Sequence, residues 1–505
     1  MTKVSARHEE AGTHEDTVDA AMNHGSDELS RPRELCTRLV SNCDISASKV
    51  APIHCLSEDV LRLIFQTGWK WDSDILDEDL SRERMQFSIC IASVCRAWRT
   101  IAHATSRLWS VIYFFPDRQR SLVALESFLC LSRRQKLSIS ISYRYGREDA
   151  AIPQDMSMEH VWVAAVMRLL VKHVDRWELL VMELEDIRTT ETIFSIWTTP
   201  AVALKQLVLY AEPGVEHPES MSFPSAPELR SLELLIPLLS QTHNIASSFP
   251  ALENLVLGTS FPDADFRFLR TLQPIQHLCH LALTGVLCDM LLQDPNLKFH
   301  FSALESLHLE ATPIDHVYEC LSVLEAPLLT TLRLDLENEH FITTHTGPFI
   351  RQPERFPLLH SIVFAGLEPN LGLSNVSQFL GSLKSAQVLF IGHRIEEFMK
   401  AASLCRPREG WCFVRLASLT ISYDSGVPPQ ALRDLVEARR TASCAEHLPE
   451  QLRPLKIEEI QVNTSVELPT GDRRWFEANL RKFTWSKDQQ QPCLNGWMEF
   501  TVLSP

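Results

Sequence analysis

The stretch Leu229-Arg-Ser-Leu232-Glu-Leu234 decides the fold, because its pattern, L-x-x-L-x-L, keeps returning. It recurs as Leu204-Lys-Gln-Leu207-Val-Leu209, Leu252-Glu-Asn-Leu255-Val-Leu257, Leu278-Cys-His-Leu281-Ala-Leu283, Leu304-Glu-Ser-Leu307-His-Leu309 and Leu329-Thr-Thr-Leu332-Arg-Leu334. The leading leucines, at 204, 229, 252, 278, 304 and 329, are 25, 23, 26, 26 and 25 residues apart. Looser copies start at Trp177, Leu359, Leu416 and Ile457. Self-similarity at a fixed short period marks a repeat architecture, in which no single unit can bury its own apolar face and stacking neighbours supply the core.

The motif also fixes the geometry of each unit. Its last two apolar positions are two apart, so both face one side of a short strand and the residue between them faces the other. This predicts an open row of Glu233, Val256, Ala282, His308, Arg333, Val363, Thr420 and Gln461. Just before many copies stands an aromatic residue or a proline, as at Phe249-Pro250, Phe301-Ser302, Ala326-Pro327, Phe356-Pro357 and Phe413-Val414, which we expect to plug the core or turn the chain into the strand. The period is that of leucine-rich repeats. Regular copies carry an asparagine three places after the last leucine, where Glu212, Pro237, Ser260, Val286, Thr312 and Glu337 stand here. Without that asparagine ladder the expected fold is an α/β chain whose repeats form an irregular, variably spaced arc.

Composition narrows the function. The 505 residues carry 48 Lys plus Arg against 64 Asp plus Glu, a formal charge of -16, so the summed field disfavours nucleic acid and anionic membrane surfaces as partners. Thirteen scattered cysteines without a C-x-x-C suggest a reducing compartment, cytoplasmic or nuclear, and no disulfide framework. The basic residues of the first twenty positions are not followed by an apolar run, so neither a secretory leader nor a membrane span is expected. Phosphate-binding loops, the zinc-protease helix motif and the nucleophile elbow are all missing, which argues against an enzyme and against a cofactor. The acidic run Asp72-Ser-Asp74 to Glu83 departs from a calcium loop at Leu76 and Asp77, and His277-Leu-Cys279-His280 has no second cluster to complete a metal site. Trp69 and Trp71 beside the acidic run are either lids on the core or partner anchors.

Residues 1–49 are polar and aperiodic and are expected to form a disordered tail. Residues 50–115 form a separate helical segment, 116–483 the repeats, and 484–505 a second tail. In the helical segment Ser57 is suited to cap a helix whose first turn holds Glu58 and Asp59, with Leu56, Val60, Leu61, Ile64 and Phe65 on one face. A second helix is expected over Phe87 to His103, with Phe87, Ile91, Val94, Trp98 and Ile101 at helical spacing.

Leu56-Ser-Glu-Asp-Val60-Leu61-x-x-Ile64-Phe65, then Val94-Cys-Arg-Ala-Trp98-Arg-x-Ile101-Ala102, then Leu108-Trp109, resembles the F-box-like domain common in fungi. The resemblance implies a non-catalytic receptor subunit of a Skp–cullin–F-box ubiquitin ligase, with the helices docked on the Skp adaptor and through it the cullin. The repeats would then hold an unknown protein substrate. On this resemblance Leu56, Val60, Leu61, Ile64 and Phe65 make the adaptor contact, and Ile91, Val94 and Trp98 are shared between adaptor and core. Glu233, His308, Glu310, Arg333 and Asp335, on one predicted face, are the candidate substrate contacts. The alternative is a binding scaffold outside the ubiquitin machinery, its helices capping the end of the repeats.

Overall fold

The structure, a computed structural model, describes residues 56–69, 78–114, 119–142, 157–184, 187–211, 223–235, 245–258, 268–284, 298–310, 320–335, 356–365, 386–391, 416–422, 428–445 and 453–486. It also describes 399, 403, 405–406 and 410–411, and omits 322 and 465. The chain divides into two compact units, Met1–Leu61 and Arg62–Pro505, and of the first only residues 56–61 are described. The expected N-terminal tail, most of the acidic run, Trp71 and the turn at 413–414 lie outside the described residues.

Among the described residues fourteen strands form one sheet in chain order: β1 Val111–Phe114, β2 Leu137–Ser142, β3 Trp177–Leu184, β4 Gln206–Ala211, β5 Ser231–Leu235, β6 Asn254–Gly258, β7 His280–Thr284, β8 Ser306–Glu310, β9 Thr331–Asp335, β10 Ser361–Ala365, β11 Ala386–Ile391, β12 Leu416–Ser422, β13 Glu459–Asn463 and β14 Lys482–Ser486. Each strand is parallel to the next. Parallel neighbours in chain order require the chain to come back to the start of each next strand, which is the arrangement of stacked repeats. This is a leucine-rich repeat-like fold.

Burial follows the motif. None of the eighteen leucines in the six strict copies is more than 3% exposed. At roughly 1.5–3 kcal/mol for each fully buried leucine, they are the main apolar stabilisation of the repeats. The turn residues fill the same core: Ala226, Phe249, Phe301, Ala326 and Phe356 are all buried. From Ala226, Phe249, Ala326 and Phe356 a carbonyl accepts the N–H of the leucine three residues on. The residue after each is proline, whose fixed φ suits the second position of such a turn.

The strand register is more regular than the sequence suggests, shifting only at Leu137/Ser138 and at Ala386/Gln387. At the strand starts the main chain supplies a ladder of its own, while the positions three places after the last leucine, where asparagine is missing, lie outside the described residues. The carbonyl of Lys205 accepts from the N–H groups of Arg230 and Ser231, that of Arg230 from Glu253 and Asn254, and that of Glu253 from Cys279 and His280. The series continues through Cys279, Glu305 and Thr330 to Ser361, at 2.8–3.1 Å. Each carbonyl has two lone pairs, and here both are used.

Three boundaries differ from expectation. The strand Val111–Phe114, read with the helical segment, is the first strand of the sheet, and β14 runs past 483 into the expected tail. The described helices before the first strand are α1 Glu58–Trp69, α2 Glu78–Val94 and α3 Arg96–Ala104, followed by the short helix Ser106–Trp109. The expected second helix is thus two, broken at Cys95, whose extended backbone (φ -157°, ψ 173°) caps α3 while its Sγ accepts from the Trp98 N–H at 3.4 Å.

Candidate functional site

In the helical segment the cap forms as the residues predict, with the Val60 N–H donating to Ser57 Oγ at 3.4 Å. The expected adaptor residues separate into two groups. Leu56, Val60 and Ile64 are exposed, whereas Leu61 and Phe65 are 4% and 1% exposed and belong to the core. Phe65 is held by Trp98, ring centroids 5.0 Å apart, and Trp98 itself is half-buried. Of the residues expected to be shared between adaptor and core, Ile91 on α2 is buried and Val94 is exposed. Leu63 and Ile89 are further exposed apolar residues of these helices that the helical spacing did not single out. Trp69 carries the guanidinium groups of Arg84 and Arg107 over its ring, 5.7 and 5.1 Å from the centroid.

On the sheet, the predicted row is found in register: Glu233, Val256, Ala282, His308, Arg333 and Val363 are consecutive cross-strand neighbours, and Leu389 stands between Val363 and Thr420. Gln461 follows Thr420. Two residues further along the strands, Thr284, Glu310 and Asp335 form the next row on the same face. All five candidate substrate residues therefore share one face.

The face is not the solvated one expected. His308 is 7% and Arg333 4% exposed. Asp335 makes this burial tolerable. Its Oδ2 accepts from His308 Nε2 at 3.1 Å and from Arg333 Nε and Nη2 at 3.1 and 2.9 Å. Burial pushes the Asp335 carboxyl up, but the His308 hydrogen bond and the Arg333 charge outweigh it and hold the group below the usual carboxylate range. Glu233 goes the other way: burial, aided by the charge of Glu310, pushes it up to about 7. Glu310 Oε2 accepts from Thr284 Oγ1 at 3.0 Å.

Among the described residues, four buried polar atoms on the sheet have no hydrogen-bond partner: Trp177 Nε1, Asp335 Oδ1, Ser306 Oγ and His280 Nδ1. Ser306 and His280 are cross-strand neighbours in the row before His308 and Ala282. Burial holds the His280 imidazole below its ordinary value despite the charges of Glu305 and Glu253. The sequence pattern did not single out Ser306, because its position between motif leucines reads as a solvated strand start. Cys279 Sγ donates to the His277 carbonyl at 3.3 Å, and among the described residues no three His, Cys, Asp or Glu side chains are grouped to hold a metal ion. No helix of the described residues is long and apolar enough to cross a membrane.

No family model matches the chain, and no curated protein matches it. Among solved structures it is similar to an internalin from Listeria monocytogenes str. 4b F2365, with 16% sequence identity, 65% of this chain and 79% of that chain covered, and a TM-score of 0.23.

Proposed function

We propose that the chain is a non-catalytic, substrate-recruiting subunit of a Skp–cullin–F-box ubiquitin ligase, working in the cytosol or nucleus. The observation that carries this reading is an exposed apolar side of α1. Val60, Leu63 and Ile64 are 42%, 63% and 45% exposed, at the i, i+3, i+4 spacing with which a helix enters an apolar groove. They stand within the sequence that resembles an F-box. The Skp adaptor covers this side, and a protein substrate lies on the strand face that holds Glu233, His308, Glu310, Arg333 and Asp335. Leu61, Phe65 and Ile91 contribute by packing, not by contact.

A second reading is favoured by the way α2 and α3 are tied to Leu108 and Trp109, in the short helix Ser106–Trp109 that leads into the sheet's first strand. Buried Ser88 donates to the Leu108 carbonyl at 2.6 Å, Trp109 Nε1 donates to the Ala102 carbonyl at 2.8 Å, and Trp109 meets Phe128 edge-on at 5.0 Å. Helices so fixed serve as an end cap for a repeat scaffold that captures a partner without ubiquitin chemistry.

Co-expression of the full chain with the cognate Skp adaptor, followed by size-exclusion chromatography with mass determination, separates the two. The ligase reading expects a one-to-one complex that Ile64→Asp abolishes without changing the circular dichroism spectrum. Two separate peaks at micromolar concentration, with both proteins folded, would overturn it.

A further inference from the structure

Between Glu233 on β5 and Glu310 on β8 the strand face is floored by small side chains. Val256 and Ala282 follow Glu233 in register before His308, and Gly258 and Thr284 occupy the next row before Glu310. Over Gly258 the space is already taken by Leu235 of β5, since a Cβ there would stand 2.7 Å from Leu235 Cδ2 and 3.2 Å from Leu235 Cα, so Leu235 borders a floor left to Val256, Ala282 and Thr284. Three strand spacings of about 4.8 Å make the floor roughly 14 Å wide. The charge of Glu310 acts on Glu233 and adds to the effect of burial on its carboxyl.

Among the described residues the face does not supply its own cation to Glu233. Arg333, the nearest buried guanidinium in the row, is bound to Asp335, and His308 gives a hydrogen bond to the same carboxylate. Among the described residues Glu233 has no hydrogen-bond or ion-pair partner. A second observation, independent of charge, also points to a ligand. Ser306, 4% exposed, and His280 beside it project from the same face and each holds a buried polar atom with nothing bonded to it.

We propose that this trough takes a basic side chain, lysine or arginine, from a protein ligand laid across the strands. The cation sits between the carboxylates of Glu233 and Glu310, and polar groups of the ligand main chain reach Ser306 and His280. The inference rests on the reading of the strand face as the recruiting surface. It adds a pH dependence. The groups facing Glu233 from neighbouring strands are Tyr210 on β4, His308 and Glu310 on β8, and Arg333 and Asp335 on β9, of which Glu310 acts on it. With Glu233 titrating near 7, the trough has its full negative charge only above neutrality. Affinity for the basic residue therefore rises from pH 6 to pH 8.

The test is selection of a displayed library of random twelve-residue peptides on the full chain at pH 8, followed by anisotropy with the labelled selected peptides. The expected peptides share a lysine or arginine whose replacement by norleucine weakens binding at least tenfold. In Glu233→Gln the same replacement costs less than twofold, and Ala282→Lys, which places the chain's own cation in the trough, abolishes binding. Thermal melting of both variants shows that they fold. Peptides that bind the face, are blocked by Ala282→Lys and do not depend on a basic residue would overturn this inference and leave the recruiting surface standing. No enrichment over an unrelated protein would overturn both.

Discussion

Replacing Asp335 by alanine removes a carboxylate that accepts hydrogen bonds from both Arg333 and His308 on the strand face. The side chains of Arg333 and Asp335 are 5% and 16% exposed, which puts the pair outside the range of exposed ion pairs worth about 0–1 kcal/mol. Removing one member of a buried pair strands the other charge and costs about 3–5 kcal/mol, so the expected loss is about 4 kcal/mol at pH 7. Because Asp335 titrates below its unfolded value, its contribution is present at neutral pH and is lost as pH falls through that depressed value. Removing both charges together, by Arg333→Met with Asp335→Leu, leaves no unpaired ion and should cost less, about 1–3 kcal/mol, for the acceptor that the buried His308 Nε2–H loses. Urea unfolding followed by circular dichroism reads both variants, with an unchanged dependence on urea as the condition for comparison. A loss of less than about 1 kcal/mol for Asp335→Ala, or equal losses for the single and double changes, would refute the reasoning. The same numbers disqualify charge reversal at 333 and 335 as a probe of ligand binding, since it would unsettle the frame first.

Glu233 predicts the opposite sign. Its carboxyl rises from 4.5 to about 7 on folding, so the folded chain binds the extra proton and loses stability as pH climbs between those values. Glu233→Gln should stabilise the protein by up to about 3 kcal/mol at pH 8 and by little at pH 4.5, read as the difference in urea midpoint; equal effects at both pH values would contradict the assigned burial. Gly258→Ala forces a side chain against the backbone of β5 and should cost about 1–3 kcal/mol in the same assay, while a neutral result would mean that Leu235 yields freely. Leu281→Ala empties a fully packed position and should cost about 2–5 kcal/mol, with hydrogen exchange accelerated in β6 to β8 and little beyond; uniform acceleration over the sheet would argue against nearest-neighbour coupling of the repeats.

What was legible in the sequence is what apolar burial writes there. Leucines at fixed offsets cannot face water six times over, so the motif gave strand, register and core together. β2 and β11 escaped the motif: Leu137-Ser-Ile-Ser-Ile-Ser142 alternates well but lacks the leading leucine, and Ala386–Ile391 has no copy of it. The helix break at Cys95 was illegible because cysteine is not among the usual capping residues, and only the geometry reveals Sγ as the acceptor. Burial of Arg333 was illegible for a different reason. A charged residue on an open row reads as solvated until a carboxylate two places along its own strand and a histidine on the next are seen to meet it. The candidate face was thus found, but its inner polarity was not: which charges are spent on each other, and which is left over, depends on contacts across strands.

The carbonyl ladder from Lys205 to Thr330 also bears on how such a chain can change. Its rungs are main-chain groups borne by lysine, arginine, glutamate, cysteine and threonine alike, so the joint between repeats asks nothing of the residue that makes it. A repeat can be duplicated, lost or substituted at these positions without a dedicated side chain having to travel with it. Drift is then free to rewrite the strand face while the seams between units hold.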